Sequence, residues 1–335
     1  FEELRFEPDP DLEPDGELPP VPTRYYRDAS RSVLAENRSP AIPFRYSLNP
    51  YRGCEHGCVY CYARPSHEYL GFDAGLGFET RIMVKEDAPA LLRRTFAAPR
   101  WDPQRVALSG NTDCYQPIER RLRLTRRCLE VFAEYRNPVS IITKSALVAR
   151  DIDILAELAA HRCAEVRISI TTLDPDLARR MEPRAATPAR RLGAVSALAA
   201  AGVPVGVMVA PVIPGLNDSE IPAILRAASE AGARTASWVL LRLAAPLDAL
   251  FLEWLDRHLP LRRDKVLHRI RETRNGRISD STFGRRMRGQ GEYARQIGAL
   301  FESSARRLGL DGSLPEADAG AFRQPPRAGD QLRLL

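Results

Sequence analysis

Short apolar runs recur along the chain, and each is followed by a segment with helical periodicity. Most of the runs are continuous, which is typical of parallel strands that are covered on both faces. A chain of 335 residues is long enough to form a single α/β barrel. The sequence therefore predicts an incomplete (β/α)6 barrel of the TIM type. Its six strands are expected at residues 44–49, 105–109, 139–143, 165–170, 203–210 and 235–241.

The first run leads into a loop that carries Cys54, Cys58 and Cys61. This C-x3-C-x2-C spacing lets one short loop direct three thiolates to one soft metal centre, either zinc or an iron–sulfur cluster. Structural zinc usually takes four ligands in two pairs, and no second C-x2-C or H-x3-H pair follows in the sequence. His56 or His67 could still complete a zinc site. An Fe4S4 cube on three thiolates would instead keep one iron open to a substrate or cofactor.

Polar residues follow the other predicted strands. In a parallel barrel these strand ends meet at one rim, where the following loops form the functional site. We therefore expect these side chains to converge near the cysteine loop. They are Asn111, Thr112, Asp113 and Cys114 after the second strand, Lys144 after the third, Ser169 near the end of the fourth, and Ala210 and Pro211 at the end of the fifth.

The cysteine loop, with Tyr60 directly before its last cysteine, resembles the signature loop of the radical S-adenosylmethionine (SAM) superfamily. Segments from Thr112-Asp113 to Ala210-Pro211 also resemble its spore photoproduct lyase-like branch, often described as DNA-repair-photolyase-like, over residues 46–217 or so. The resemblance implies a radical SAM partial barrel with one Fe4S4 cluster and SAM. It also implies reductive cleavage of SAM to a 5′-deoxyadenosyl radical, with electrons from a reductant such as flavodoxin or ferredoxin.

Matching positions imply roles for individual side chains. A carboxylate needs a cation and an ammonium group needs oxygen acceptors, so the residue types suit the parts of SAM that they would bind. The resemblance implies Cys54, Cys58 and Cys61 as cluster ligands, Tyr60 as an adenine contact, Thr112 and Asp113 at the SAM amino group, Lys144 at its carboxylate and Ser169 at its ribose. The same position could also make Asp113 a turn cap, Ser169 a core hydroxyl and Lys144 a rim charge.

One position departs from the lyase pattern. In the lyase itself a cysteine directly before the position of Thr112 returns a hydrogen atom to the product, and here Asn111 stands in that place. Cys114 is a candidate hydrogen donor, with a buried core thiol as the alternative. Tyr62 matches a tyrosine linked with radical transfer, with packing beneath the loop as its alternative. Glu55 and His56 are expected on the surface of the loop.

Charge is distributed unevenly along the chain, whose formal net charge is +6. Residues 1–20 hold eight acidic residues and one arginine, a net charge of −7. Residues 261–288 hold ten basic and three acidic residues, a net charge of +7. Guanidinium groups interspersed with glycine and Phe283 suit contact with a phosphate backbone, and Arg285, Arg286 and Arg288 are the predicted nucleic-acid contacts. A solvated arginine-rich surface is the alternative.

Composition divides the chain into four predicted segments. Residues 1–42 form an acidic, proline-rich arm that is largely disordered or wrapping, and residues 43–260 form the partial barrel. Residues 261–310 form a basic extension with a terminal helix at 293–308, and residues 311–335 form a disordered tail. No apolar run reaches the roughly 18 residues of a membrane span, and the start is unlike a signal peptide. Cysteines outside the loop are scattered, so we expect a cytoplasmic protein without a membrane partner.

Three functions are compatible with these features. The first is a radical SAM enzyme, lyase-like and related to DNA repair, that abstracts hydrogen from a nucleic acid such as a DNA lesion. The second keeps this chemistry but acts on a peptide, a protein or a small metabolite. The third is a non-enzymatic, zinc-binding nucleic-acid module.

Overall fold

The computed structural model describes residues 1–6, 22–40 and 42–325 of the chain. The strands within these ranges are β1 (Glu3–Leu4), β2 (Arg24–Arg27), β3 (Leu34–Glu36), β4 (Tyr46–Leu48), β5 (Tyr51–Arg52), β6 (Arg81–Val84), β7 (Val106–Leu108), β8 (Val139–Thr143), β9 (Ala164–Ser169), β10 (Val205–Val212) and β11 (Thr235–Leu240).

The α-helices begin and end close to Pro, Gly and polar capping residues, as α6 illustrates: the Asp174 side chain accepts from the backbone N–H groups of Asp176 and Leu177. The helices are α1 (Leu76–Thr80), α2 (Ala88–Phe96), α3 (Glu119–Leu122), α4 (Leu124–Tyr135), α5 (Ile152–Ala160), α6 (Pro175–Met181), α7 (Pro188–Ala200), α8 (Ile221–Glu230), α9 (Leu247–His258), α10 (Arg263–Glu272), α11 (Arg285–Arg288) and α12 (Glu292–Arg307).

The main sheet has seven strands in the order β11-β10-β9-β8-β7-β4-β3. All neighbours from β4 to β11 pair in parallel, and only β3 pairs antiparallel, with β4. The six parallel strands lie side by side in the order of the sequence, as expected for successive βα units. Because β11 and β3 are the two edges, the sheet is an open, partial barrel. The predicted fold class is confirmed.

The six predicted strands are all present, with boundaries shifted by one or two residues. The apolar stripe of residues 83–96 in the sequence predicts a helix there, and this prediction is wrong at its beginning, because Met83 and Val84 belong to strand β6 and the helix begins only at Ala88. The two residues pair with both β2 and β5, which local periodicity does not reveal. The sequence pattern also predicts one helix over residues 118–135, but the structure divides it into α3 and α4 at Arg123, whose φ of 51° is left-handed.

A second sheet, in the order β1-β2-β6-β5, was not predicted. It consists of short strands, and β5 leads directly into the cysteine loop. The described parts of the predicted N-terminal arm thus enter both sheets, through β1 and β2 here and through β3 in the main sheet. The strongly acidic residues 7–21 of that arm lie outside the described residues.

Two apolar clusters hold these layers together. The larger one lies between the main sheet and helices α4, α5, α7 and α8, and includes Leu129, Ile141 and Val207. The smaller one joins α6, α9 and α10 and reaches the cysteine loop, where Cys58 and Tyr60 pack against it. The loop therefore rests on an ordered apolar support.

The C-terminal region packs along the last strand. Helix α12 confirms the helix predicted for residues 293–308 to within one residue, and its Phe301 ring lies 6.1 Å from that of Trp238. Residues 311–325, predicted to be disordered, are packed: Arg162 and Asp318 form an ion pair of 2.6 Å, and the Phe322 ring lies 6.0 Å from that of Tyr135. Residues 326–335 lie outside the described residues. In the part of the chain that the structure describes, no helix combines the length and apolar character needed to cross a bilayer.

Candidate active site at the carboxyl rim of the barrel

The loops that follow the parallel strands meet at one rim, where polar contacts join strands distant in sequence. Thr143, at the end of β8, donates a hydrogen bond of 2.7 Å to Asp113, which follows β7. Lys144 Nζ donates to the Ala210 carbonyl of β10 over 3.3 Å. The Tyr60 hydroxyl of the cysteine loop lies 3.2 Å from Thr171 Oγ1, two residues after β9. The structure thus brings together the polar strand ends singled out in the sequence.

The three cysteines of the loop have free thiols, and Cys54 and Cys58 are buried while Cys61 is partly buried. Burial, helped by the charge of Glu182, raises the pKa of Cys58 well above its ordinary range. Burial and the neighbouring Cys54 also raise the pKa of Cys61. Three neighbouring thiolates, two buried and one partly buried, are unfavourable without a compensating positive centre. This donor set therefore fits a soft, cationic iron–sulfur cluster.

The described residues contain no group of three or more His, Cys, Asp or Glu side chains that could hold a metal ion as they stand. A single zinc ion requires its ligands to converge on one point. A cubane cluster differs, because its cysteine sulfurs bind separate irons at the corners of a cube.

Arg64 holds the cysteine loop from inside and is itself buried. Its Nε donates to the Cys58 carbonyl over 3.0 Å and its Nη2 to the Gly57 carbonyl over 3.1 Å. Its Nη1 donates to the carbonyls of Ala74 and Gly75 at 3.0 and 2.8 Å. A guanidinium group with this many carbonyl partners fixes the backbone that presents the thiols. The sequence offers no local signal for this role.

Glu55 was expected on the loop surface, and this prediction is wrong, because the side chain is 7% exposed. Its carboxylate accepts from the Tyr25 hydroxyl and from the Ile118 backbone N–H, each over 2.8 Å. Its own backbone N–H donates to Gln116 Oε1 over 3.0 Å. Glu55 thus ties the cysteine loop to β2 and to the segment before α3. Burial raises the pKa of its carboxyl group.

His56 was also expected on the surface and is instead buried, so this prediction is wrong as well. Its Nδ1 lies 3.4 Å from Asp113 Oδ2, while its Nε2 is buried and has no hydrogen-bond partner among the described residues. Burial opposes the charged imidazolium, but the charges of Cys54 and Asp113 raise the pKa of His56 to about 10. A protonated His56 places a positive charge beside the thiols, as a cluster with anionic ligands favours.

Asp113 connects His56 with the end of β8. Its carboxylate accepts from Thr143 Oγ1 over 2.7 Å, from the Lys144 backbone N–H over 2.8 Å and from the Tyr115 backbone N–H over 2.9 Å. Burial acts against the carboxylate, yet His56 and these hydrogen bonds lower the pKa of Asp113 to about 2. Asp113 is therefore permanently charged. Its hydrogen bond with the Lys144 backbone N–H positions Lys144.

Lys144 is a cation without an acidic partner within 4 Å in the described part of the chain. Its ammonium lies 5.6 Å from the centre of the Tyr60 ring. Burial lowers the pKa of Lys144, although the nearby Cys58 opposes this effect. A desolvated ammonium group beside the cysteine loop is suited to bind a small carboxylate.

A buried network lies behind Tyr60. The Tyr60 hydroxyl and Thr171 Oγ1 both donate to Glu182 Oε1, the latter over 2.6 Å. Arg191 forms an ion pair with the other oxygen of Glu182 and donates from Nη1 to the Ser169 carbonyl over 3.1 Å. The contacts of Glu182 and Arg191 make them positioning residues for the Tyr60 ring.

Thr112 and Cys114 flank Asp113 but face different surroundings. Thr112 is buried at the rim, where its hydroxyl donates to the Gly53 carbonyl just before the first cysteine. Cys114 lies in the main apolar core, fully buried, and burial raises the pKa of its thiol well above the ordinary range. Asn111 is exposed, with its backbone N–H bound to Asn49 Oδ1 over 3.0 Å. These surroundings match the alternative in which Cys114 is a core thiol.

Tyr62 and the basic segment meet on the other side of the cysteine loop. The Tyr62 side chain is 53% exposed, and its hydroxyl donates to the Gly110 carbonyl after β7. The Arg242 guanidinium lies 5.2 Å from the centre of its ring. Arg286 is close enough for its charge to disfavour that of Arg242, whose pKa is lowered mainly by burial. Of the other predicted arginines, Arg285 is exposed and Arg288 stacks on Trp238 at 4.4 Å.

Buried Arg274 fixes the basic helix α11 to the end of β11. Its Nη2 donates to the Leu241 carbonyl over 2.6 Å and to the Arg286 carbonyl over 3.0 Å, and its Nη1 donates to the Arg285 carbonyl over 2.9 Å. The basic segment is therefore attached to the carboxyl rim and is not a detached tail. Within this segment residues 263–272 and 285–288 form helices α10 and α11, and the glycines lie in the irregular stretches 273–284 and 289–291.

The family model described as the radical SAM superfamily matches residues 48–228, more than half of the chain. The chain therefore belongs to the radical SAM superfamily. Members of this family use a 4Fe–4S cluster together with SAM, and the residues described above fit both groups.

An uncharacterized protein of Mycobacterium tuberculosis is 40% identical over 234 residues, which cover 69% of this chain and 68% of the relative. An uncharacterized protein of Methanocaldococcus jannaschii is 30% identical over 176 residues, which cover 52% of this chain and 63% of the relative. Neither name specifies a reaction.

Solved structures of spore photoproduct lyase share the fold. The lyase complexed with dinucleoside spore photoproduct has a TM-score of 0.61 and 16% identity, covering 85% of this chain and 79% of the lyase. A mutant of the lyase with bound AdoMet and dinucleoside spore photoproduct has a TM-score of 0.58 and 15% identity, covering 85% and 78%. At this level of identity the likeness establishes the fold alone.

Proposed function

We propose that this chain is a radical SAM enzyme that abstracts a hydrogen atom from a nucleic-acid substrate. Family membership supports the radical SAM chemistry. The observation that carries the choice of substrate is the position of Arg242 over the exposed ring of Tyr62 in the cysteine loop, with Arg286 nearby over the exposed ring of Phe283. Guanidinium groups next to aromatic rings suit a phosphate backbone with adjoining bases.

In this proposal Cys54, Cys58 and Cys61 hold an Fe4S4 cluster, which supplies the electron for reductive cleavage of SAM to a 5′-deoxyadenosyl radical. Lys144 binds the SAM carboxylate, because its ammonium has no acidic partner in the described chain and lies beside the cysteine loop. Tyr60 contacts the adenine, supported by its buried hydrogen bonds to Glu182.

The remaining SAM contacts are proposed from the strand ends. Ser169, buried at the end of β9, binds the ribose. Thr112 and Asp113 lie at the amino group of SAM, and Asp113 also holds the backbone of Lys144 in place. We include Tyr62 as the group that lies between this pocket and the substrate. We assign no hydrogen donor for the end of the reaction, because Asn111 stands in place of the lyase cysteine and Cys114 lies in the core.

Anaerobic reconstitution with iron and sulfide tests the chemistry. The expected product is a brown protein with about four irons per chain. Addition of SAM and dithionite, which replaces a donor such as flavodoxin or ferredoxin, should then release 5′-deoxyadenosine. A protein that carries one zinc ion and leaves SAM intact would contradict the proposal and favour the zinc-binding module.

Two measurements test the substrate. The reconstituted protein should bind single-stranded DNA with an affinity that falls steeply as salt is raised. Incubation with oligonucleotides deuterated at the sugar or the thymine methyl group should transfer deuterium into 5′-deoxyadenosine and identify the attacked carbon. If DNA does not bind even at low salt while SAM is still cleaved, the substrate is instead a peptide, a protein or a small metabolite.

A further inference from the structure

The partial barrel is open between its two edge strands, and a side-chain contact spans this opening. Arg286 follows β11 in the chain and lies on α11, whereas Ser39 lies in the connection between β3 and β4 at the other edge. Arg286 Nη2 donates to Ser39 Oγ over 2.7 Å. The guanidinium group therefore lies over the opening, where a substrate can approach the rim from the side.

Arg242 lies two residues beyond the end of β11, close enough to Arg286 for the two charges to act on each other. Its Nη1 is 3.9 Å from Met287 Sδ, and its guanidinium covers the Tyr62 ring. Neither Arg242 nor Arg286 has an acidic side chain within 4 Å in the described ranges, and both are only partly exposed. Arg286 Nε is buried and has no hydrogen-bond partner among the described residues.

Two partly buried guanidinium groups of like charge repel each other unless an anion lies between them. Arg184 and Arg126 differ in this respect, because Arg184 is paired with Glu79 and Arg126 with Asp153. The pair at the opening thus has unused donors and an unbalanced charge. A phosphate group, with several acceptor oxygens, satisfies both through fork-like hydrogen bonds.

We infer that Arg242 and Arg286 jointly bind one phosphate group of the nucleic-acid substrate at the opening of the barrel. This inference rests on the proposed function and specifies how the substrate is held. Tyr62 is 53% exposed and Phe283 is 57% exposed, and they flank the two guanidinium groups. Exposed rings beside a bound phosphate offer stacking surfaces to the adjoining bases. The bound phosphate places the neighbouring nucleotide next to the cysteine loop.

Fluorescence anisotropy of the reconstituted, full-length protein with a labelled oligothymidylate of about eight nucleotides tests this inference. Arg242→Gln and Arg286→Gln are each expected to weaken binding about tenfold at about 0.1 M salt, because a hydrogen bond between charged groups is lost. The slope of log K against log salt should become shallower by about 0.7. Arg226→Gln, which removes the same charge from the exposed face of α8, should change neither quantity.

Binding of one phosphate group by both arginines leads to a more specific prediction. The double variant should lose little more of the salt slope than either single variant, because the phosphate is held only when both guanidinium groups bind it and either substitution already releases it. An oligonucleotide with one neutral methylphosphonate linkage at the bound position should bind wild type and Arg242→Gln equally well. Arg242→Lys, which keeps the charge, should retain the slope and separates loss of charge from misfolding.

The outcomes distinguish this inference from the proposed function. If wild type binds the oligonucleotide and both arginine variants behave like Arg226→Gln, the phosphate site is wrong and the nucleic-acid substrate stands. If each arginine variant loses its own increment of slope, so that the double variant loses the sum, the arginines bind separate phosphates and the joint site is wrong. If wild type does not bind at low salt, the nucleic-acid substrate itself is wrong and the inference fails with it.

Discussion

The Glu182 carboxylate and the Arg191 guanidinium form an ion pair with both side chains 1% exposed, and the other carboxylate oxygen accepts from the Tyr60 hydroxyl. Because the pair is shielded from solvent, its charges are balanced among the described residues by each other and by hydrogen bonds with Tyr60, Thr171, Ser169 and Ala186. The orientation of a ring at the cysteine loop therefore depends on a salt bridge contributed by α7 and the residue after α6.

We expect Arg191→Met to destabilise the protein by about 3–5 kcal/mol, because it leaves the Glu182 carboxylate buried and unpaired. The double variant Glu182→Gln with Arg191→Met should recover part of this loss. Urea unfolding of the three proteins measures the effect. Arg257→Ala, which breaks an exposed pair with Glu253, should change the free energy of unfolding by at most about 0.5 kcal/mol. A similar loss in Arg191→Met and Arg257→Ala would contradict the account.

Cluster binding should depend on the cysteines of the loop and not on the other thiols. Cys58→Ala is expected to lose the brown absorbance and SAM cleavage, because one of three thiolates is removed. Cys163→Ala is the matched control: this thiol is buried far along the chain and bonds to the Arg136 and His161 carbonyls. Cys163→Ala should keep both the brown absorbance and SAM cleavage. Equal iron content in the two reconstituted variants would rule out the assignment.

SAM binding should depend on Lys144 without affecting the cluster. Lys144→Ala removes the ammonium group proposed for the SAM carboxylate, and we expect the KM for SAM to rise about tenfold or more while iron content stays unchanged. The exposed Lys265 of α10 provides a control with the same loss of charge. The measurement is 5′-deoxyadenosine formation against SAM concentration. An unchanged KM in Lys144→Ala would exclude this contact.

Asp113 should make the stability of the protein dependent on acid pH. Its pKa is about 2 in the folded chain and 3.8 ordinarily, so its contribution is fully present above about pH 4 and is lost as the pH falls through about 2. The difference corresponds to about 2 kcal/mol. Asp113→Asn should flatten the decline in unfolding free energy between about pH 5 and about pH 2 by that amount.

A carboxylate on the surface supplies the comparison for this measurement. The Asp264 side chain is 96% exposed, so Asp264→Asn should leave the acid-side decline of the wild type nearly unchanged. If the free energy of unfolding fell equally with decreasing pH in wild type and Asp113→Asn, the hydrogen bonds of Asp113 would not stabilise its charge.

The main sheet could be predicted from the sequence because its parallel strands are short segments rich in apolar residues, bounded by turn residues and separated by segments with helical periodicity. The second sheet could not be predicted in this way. Strand β5 has only two residues, and β6 begins with Arg81 directly after the last residue of α1. Its strands are held by pairing with distant partners, such as Tyr25 with Ile82. Pairing of this kind leaves no local periodicity to detect.

The site was predictable where spacing alone determines chemistry, as for the three cysteines. The groups that hold the loop were missed because their partners are far away in the sequence. Arg64 pairs with Glu79, and Arg184 pairs with Glu79 and also donates to the Glu55 carbonyl, 129 residues away. A charged residue in a loop is ordinarily solvated, which is why Glu55 and His56 were assigned to the surface. Only the fold shows that their polar atoms have buried partners.

Gly57 should contribute to the cysteine loop in a way that can be separated from backbone strain. Its φ is 67°, and a Cβ at this position would overlap the Arg184 guanidinium and the Glu79 carboxylate. Gly71 has a φ of 76° and no atom within 4 Å of a Cβ. Both alanine variants incur the backbone cost of about 1–2 kcal/mol, but only Gly57→Ala disturbs the ion pair that holds the loop.

We therefore expect Gly71→Ala to lower the free energy of unfolding modestly and to reconstitute with a full complement of iron. Gly57→Ala should be destabilised further and should bind less iron, because the displaced Arg184 no longer fixes the backbone between Cys54 and Cys58. The measurements are the iron content per chain and the free energy of unfolding in urea, made on both variants. Equal iron content with equal destabilisation would show that backbone conformation alone accounts for the glycine, and that the packing of Arg184 and Glu79 does not position the thiols.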